Sequence, residues 1–512
     1  MNIGMNTIKD VGFAFQLVER EAVQEICDQE VCDMIDKIIF QTLGPKGLRQ
    51  IIKVCDRVTI KVNLVGAHLG ARGEKGRAII TDPRIVRYVA EKIRNIIGPK
   101  GVLKVVGTTH YYHRNPSLKE EPTSFYWAKL GRSGNNAINP CVDICYDANA
   151  DGILDGSSNA QLVNLDSLGE KERFCRTVSL YDGTQVDVAF PKFLRTREEA
   201  WRAGEPNEYT DVFIGLPTFK THGLMGMTGG LKLHYGLRSM YGVYSDAGRY
   251  GHNGIYFDES GNMHGRHNLT DYLCAQHLVR SYDYTILDAL TLNLQGPALP
   301  MGLITDIGDT DQKADFILTN CVMASLDPAA LDVAATNLMG FDTTSIPLLE
   351  DAKKNGIGET NPAYIRIHGD RAFSRVRLHF WNQFSPNKYP PPPRVGAQQL
   401  LKSQIDPDFD IFLYPPEKIG THRYLLKYKV MPVLEPGKTD LNPDIKITRV
   451  EIHAHKKILA EKTGGDLTSG ELIVDLNKEE FSRLRHTALA CQGYAWDQYF
   501  NCRAGNESFI FC

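Results

Sequence analysis

Asp211-Val212-Phe213-Ile214-Gly215-Leu216-Pro217-Thr218-Phe219-Lys220-Thr221-His222 reads as a buried strand that stops at a proline, with two polar, chemically versatile side chains just beyond it. Five consecutive apolar or small residues suit a strand covered on both faces, as in a parallel sheet. Open α/β sheets bind their ligands outside the carboxyl ends of such strands. This stretch therefore predicts a sheet position and a site together, with Lys220 and His222 on a loop leaving the strand.

The surrounding sequence has the alternation that such a sheet requires. Val31, Met34, Ile35, Ile38, Ile39 and Leu43 recur at helical spacing, as do Ile85, Val86, Val89, Ile93, Ile96 and Ile97. Each run ends in Gly-Pro-Lys-Gly, at Gly44–Gly47 and Gly98–Gly101. Glycine then proline closes a helix, whereas phosphate loops open one. Strand patterns fall at Val58–Val62, Val102–Val106, Asp211–Leu216, Tyr284–Leu290, Phe316–Ala324 and Tyr364–His368. Asp327-Pro328 opens a further helix, since aspartate caps free N–H groups and proline suits the first turn. The expected class is α/β, with a largely parallel mixed sheet sandwiched by helices.

Pro390–Pro393 interrupts this pattern, because four prolines in a row form stiff polyproline II. Beyond it come short strand patterns separated by Gly, Asn, Asp and Pro, and the charge balance turns from acidic to slightly basic. The expected division is an α/β domain over 1–385, a proline-rich linker over 386–400, and an antiparallel, immunoglobulin-like β-sandwich over 401–512.

The chain of 512 residues has a formal charge of -3, 42% hydrophobic and 23% charged residues. That balance excludes a disordered chain and gives none of the basic footprint of a nucleic-acid binder. No apolar run is long enough to cross a bilayer. Met1–Asp10 carries no signal pattern, so a cytoplasmic location is the default, and export is expected only if a leader has been trimmed. The 11 cysteines include no CxxC pair, so neither an iron–sulfur cluster nor haem is expected. Nor are GxSxG, HExxH, a Walker A loop or a complete dinucleotide fingerprint present.

Eight residues after Lys220 begins Thr228-Gly229-Gly230-Leu231-Lys232-Leu233-His234-Tyr235-Gly236. Two Lys-x-His pairs around glycines offer ammonium groups, imidazoles and backbone N–H groups to one anion. Lys61 and Asn63 alternate onto one face of an apolar strand, and a lysine there needs a partner or a ligand. Thr81-Asp82-Pro83 follows, read either as a helix cap or as part of the site. The expected roles are proton transfer at His222 and Lys220, and ligand binding at Lys61, Asn63, Asp82, Lys232 and His234. Asp327 and Asp332 are expected to hold a helix start.

Asp147, Asn149, Asp151 and Asp155 stand at positions 1, 3, 5 and 9 of a calcium-loop pattern, with Gly152 at the turn. Calcium is the ion such oxygens would take. The twelfth position is Ser158 rather than glutamate, and a polar Asx turn is the other reading.

Taken in order, Lys61-x-Asn63, Thr81-Asp82-Pro83, Leu216-Pro217 through His222, Gly230-Leu231-Lys232, Leu287-Asp288, Gly296-Pro297 and Leu326-Asp327-Pro328 through Asp332 resemble the domain-of-unknown-function family 362, over roughly residues 55–370. The chain departs from that pattern at Val62, where relatives usually have proline, and at His234, near where asparagine is common. Relatives often carry a ferredoxin-like cluster segment or a twin-arginine export signal, and neither motif stands in this sequence. The resemblance implies a fold and a pocket rather than a reaction, so enzymatic activity is left open. Two readings follow: a protein that binds or acts on a small carboxylate or phosphate at a Lys/His pocket, or a non-catalytic structural or interaction protein. In the second, the β-sandwich is the surface for a protein partner or self-association.

Overall fold

The computed structural model describes residues 8–15, 26–64, 80–108, 146–222, 225–238, 256–257, 263–264, 266–293, 316–339, 343, 346–369, 409–432, 446–454, 457–476, 488–497 and 502–511. The proline run and the linker expected at 386–400 lie outside them.

Both apolar repeats form helices. Helix α1 spans Asp28–Leu43 and buries all six predicted positions. Helix α2 spans Pro83–Ile97 and is capped by Asp82, whose side chain accepts from the Arg84 N–H at 2.8 Å. At their C-termini the Gly44 N–H closes on the Phe40 carbonyl and the Gly98 N–H on that of Arg94. The two Gly-Pro-Lys-Gly segments thus end helices.

The central sheet is built on β2 (Arg57–Val62), β3 (Val102–Gly107), β4 (Gln161–Asn164), β7 (Val212–Leu216) and β12 (Tyr284–Asn293), all parallel, in the order β12-β7-β2-β3-β4. Strand β13 (Phe316–Ser325) runs against β12. Beyond it, β1 (Lys9–Phe15) and β14 (Ile365–His368) regain the main direction. Along this path of eight strands one is reversed, so the sheet is mixed but largely parallel, as the sequence predicts.

Side-chain alternation separates two cores. Val58, Ile60, Val62, Ile214 and Leu216 share an apolar cluster with α1 and α2 on one face. On the other face Phe213, Leu287, Ala289 and Met323 join α5 (Arg266–Val279), α6 (Pro328–Met339) and α7 (Pro347–Lys354). Thr59, Lys61 and Asn63 alternate with the first set, so the polar side of β2 is turned to the second face.

Three elements depart from expectation. Lys220 and His222 do not leave on a loop; they lie in strand β8 (Thr218–His222), which pairs with β12 and with the short β9 (Gly226–Thr228). Pro217 stops the β7 ladder, and its carbonyl accepts from the Asp288 N–H at 2.8 Å, so the chain steps along β12 and pairs again. The strand β1 and the hairpin of β5 (Arg173–Ser179) with β6 (Gln185–Pro191) carry no clear periodicity and are found only in the structure.

After residue 408 the described chain forms two four-stranded antiparallel sheets. One holds β15 (Phe409–Leu413), β16 (Glu417–Lys418), β17 (Arg423–Pro432) and β20 (Ser469–Asp475). The other has the order β19 (Lys457–Thr463), β18 (Ile447–Ala454), β21 (Ala488–Asp497), β22 (Cys502–Phe511). Ile411, Leu426, Val474, Ile452, Cys491 and Ile510, drawn from both sheets, share one apolar cluster. Among the described residues no helix is long and apolar enough to cross a membrane, which says nothing of a β-barrel.

Candidate functional site

Lys61, Asn63, Thr108, Lys220, Thr228, Lys232, Tyr235 and Gly236 line one small cleft at the carboxyl edge of the central sheet, about 360 Å³ including its open mouth. Each arrives from a different strand end or turn. Lys61 and Asn63 close β2, and Thr108 follows β3. Lys220 and Thr228 face each other across the β8–β9 pair, which puts both side chains on one face. Lys232 stands on α4 (Gly230–Leu233), a single helical turn continued by Tyr235 and Gly236.

The strand ends are fastened together. The Thr81 hydroxyl donates to the Leu216 carbonyl at 2.6 Å and accepts from the Asn63 N–H at 2.9 Å, so β2 and β7 end in a fixed register. At α4 the holding group comes from another helix. Asp332, inside α6, accepts from the N–H groups of Gly230 and Leu231 at 2.6 and 2.9 Å. Asp332 thus holds the start of α4, and Asp327 that of α6, where it accepts from the Ala329 and Ala330 N–H groups.

All three lysines are buried, at 1% exposure for Lys61 and Lys220 and 7% for Lys232. Burial pushes the Lys61 amine down to about 7, against the pull of Asp166. Lys220 is held well below the ordinary lysine value, first by burial and then by the charge of Lys232. Among the described residues the Lys61 Nζ has one hydrogen bond, donated to the Val62 carbonyl at 2.6 Å, and no ion pair. Among the described residues the buried Thr228 hydroxyl has no hydrogen-bond partner. Lys232 and Arg238 both lie over the Tyr235 ring, at 5.3 and 3.9 Å from its centroid. A site of concentrated positive character with an unspent hydroxyl donor suits a compact anion.

Two of the expected ligand residues stand elsewhere. His234 is turned into the core, stacked 3.7 Å from His277 and edge-on to Phe213 and Tyr282. Its Nε2 meets the Arg280 carbonyl at 2.7 Å, and burial holds it well below the usual histidine range. On this short turn Lys232 and His234 point to opposite sides, which spacing alone does not distinguish. Asp82 caps α2 and pairs with Arg84 at 2.7 Å rather than lining the cleft. Its own N–H donates to Asp288, whose carboxyl is pushed up to about 7 by burial and by Asp82. The His222 side chain lies outside the described residues.

The acidic loop folds onto itself. Asp147 accepts from the Asp151 and Gly152 N–H groups, Asp151 from Ile153 N–H, and both Asp155 oxygens from Ala148 N–H. These are Asx-turn contacts, with Asn149 on the turn. Among the described residues no group of three or more His, Cys, Asp or Glu could hold a metal ion. Asp147, Asp151 and Asp155 thus accept hydrogen bonds from their own loop.

Thr108, Thr228, Tyr235 and Gly236 were not anticipated. Thr228, Tyr235 and Gly236 lie inside the segment read as half of the pocket, in which only Lys232 and His234 were singled out. Thr108 follows a strand on which nothing polar and periodic stands out.

Residues 142–337 match the model of the family described as "Domain of unknown function (DUF362)". The chain carries a DUF362 domain. The matched span contains Lys220, Lys232, Asp288 and Asp332, whereas Lys61, Asn63 and Thr108 precede it. The cleft is thus closed by residues on both sides of the start of the DUF362 match. No curated protein matches the chain. Among solved structures, a crystal structure of a Thermotoga maritima protein shares 11% identity over 54% of each chain, with a TM-score of 0.28. The chain spans about half the length of that protein.

Proposed function

We propose that the cleft at the carboxyl edge of the sheet binds a small carboxylate or phosphate anion. One observation carries this reading: Lys61, Lys220 and Lys232, each buried, line the same concavity. Three lysines out of water resist carrying protons together, because ammonium groups there repel one another and are poorly solvated, and a bound anion relieves both costs. The Thr228 hydroxyl and the Asn63 side chain add neutral hydrogen-bonding groups that fix orientation. In this reading His222 and Lys220 carry proton transfer, and Lys61, whose amine is lowered to about 7, is a further candidate for it.

In the same reading, residues 401–512 form a separate immunoglobulin-like domain joined through the proline-rich 386–400 to the α/β domain of 1–385. The apolar cluster shared by its two antiparallel sheets supports this. Its role is contact with a protein partner or with a second copy, not chemistry.

Calorimetric titration with inorganic phosphate and with acetate tests the anion site. Saturable binding of at least one, lost in Lys220→Met and Lys232→Met variants that keep the wild-type circular dichroism spectrum, is the expected result. Equal binding by wild type and both variants would reject it.

A further inference from the structure

We infer that Lys61 is the nucleophile of an imine-forming site, and that the ligand is a small carbonyl compound carrying a carboxylate or phosphate. The inference rests on the anion reading and adds the reacting group. Lys61 differs from its two neighbours in the cleft. It sits in the sheet itself, in register with Gly215 and Val106, so its backbone is held on both sides. Its Nζ donates to the Val62 carbonyl and faces no carboxylate within ion-pair distance among the described residues. The pull of Asp166 on its proton is outweighed by desolvation, which brings the amine down to about 7. Lysines desolvated beside other cations are the ones that act as nucleophiles.

The side opposite the sheet is closed by backbone. A Cβ on residue 236 would lie 2.7 Å from Nζ and 3.1 Å from Cε of Lys61, and 3.0 Å from Cγ2 of Thr108. Glycine at this position leaves the amine and the threonine side by side. The Thr108 hydroxyl in turn donates to Asp166. This arrangement supplies the parts of the step. The Nζ lone pair attacks the carbonyl carbon, forming the C–N bond while the C=O π pair moves to oxygen. The two protons that nitrogen loses end on the departing oxygen, with the Thr108–Asp166 pair as the acceptor at the cleft, and the nitrogen lone pair forms the C=N bond as the C–O bond breaks to release water. Amine plus carbonyl gives imine plus water, with no change of oxidation state. Lys220 and Lys232 hold the anionic end, which places the carbonyl toward Lys61.

Reductive trapping on the intact wild-type chain tests this. The protein is treated with glyoxylate or glycolaldehyde phosphate and cyanoborohydride near neutral pH, and the adducts are mapped on tryptic peptides. With at least one probe, Lys61 should be modified at least about tenfold more than the exposed Lys46 and Lys100. Inorganic phosphate should suppress the Lys61 adduct alone. If Lys61 reacts no faster than the exposed lysines with either probe, although phosphate binds in calorimetry, the imine inference fails and the anion site stands. If phosphate neither binds nor suppresses the adduct, the anionic anchor is wrong, whatever Lys61 does.

Discussion

Asp332 holds Gly230 across two helices: its carboxylate Oδ1 accepts from the Gly230 backbone N–H at 2.6 Å, and Oδ2 takes the next N–H, of Leu231. A Cβ on residue 229 would lie 2.2 Å from that Oδ1, so the approach requires glycine there. The pair fixes the start of the turn that carries Lys232. Asp332→Ala leaves two buried N–H groups without acceptors and is expected to cost about 1–3 kcal/mol in urea unfolding. Phosphate affinity should fall about tenfold, a change of about 1.4 kcal/mol, because Lys232 is displaced. Stability loss with unchanged affinity would separate Asp332 from the site.

Gly236 gives a sharper probe of Lys61. Its missing Cβ is what lets the amine lie where it does. Gly236→Ala should push Lys61 aside and weaken anion binding, while leaving the sheet and its helices intact by circular dichroism. Unchanged affinity would show that the amine position does not matter.

The buried charges also set a pH dependence. Asp332 and Asp288 are raised by burial to about 7 from an ordinary 3.8. Between those values the folded chain binds more protons than the unfolded one, so these groups lower stability as pH rises from acid to neutral. Lys61 is lowered to about 7 from 10.5. Between those values the unfolded chain binds more protons, so stability rises with pH on the alkaline side. A Lys61→Met variant removes the second effect. Its advantage over wild type in denaturant midpoint should be largest near pH 6 and shrink toward about pH 9. A constant difference across that range would contradict the depressed amine.

The sequence is informative where burial imposes a period and less so where orientation decides. Val31 to Leu43 and Ile85 to Ile97 are helices because every third or fourth residue must enter the core, and that spacing is visible in one dimension. Lys61, Asn63, Lys220 and Lys232 could be singled out because a lysine among apolar neighbours needs a reason. Whether Lys232 and His234, two residues apart, face the same way depends on a single turn. The structure sends one to the cleft and the other to Phe213 and Tyr282. Asp332 was legible as a buried acid, but its partner lies about a hundred positions away and no local rule connects them. Thr108 and Thr228 are small, common residues that acquire meaning only from what the fold sets beside them.

The acidic loop makes a prediction of its own. Asp147 accepts two backbone N–H groups of its turn, so Asp147→Ala should destabilise the chain by about 1–3 kcal/mol. Because its oxygens are engaged in that turn, a chelator should leave the melting temperature of the wild type unmoved. A fall on chelation, reversed by calcium, would restore the cation reading.

The most direct test of the site is whether binding an anion moves protons onto the protein. Sulfate keeps its charge throughout the neutral range, so any proton taken up on binding belongs to the chain. Calorimetric titration with sulfate near pH 8, in two buffers of different ionisation enthalpy, reads that uptake. Lys61, lowered to about 7, should become ammonium around the anion, and Lys220, held below the ordinary lysine value by burial and by Lys232, is drawn the same way. The expected result is a binding enthalpy that depends on the buffer and reports net proton uptake, with uptake reduced in Lys61→Met and binding lost in Lys220→Met. No binding, or binding without proton uptake that survives in both variants, would contradict the assignment of the cleft.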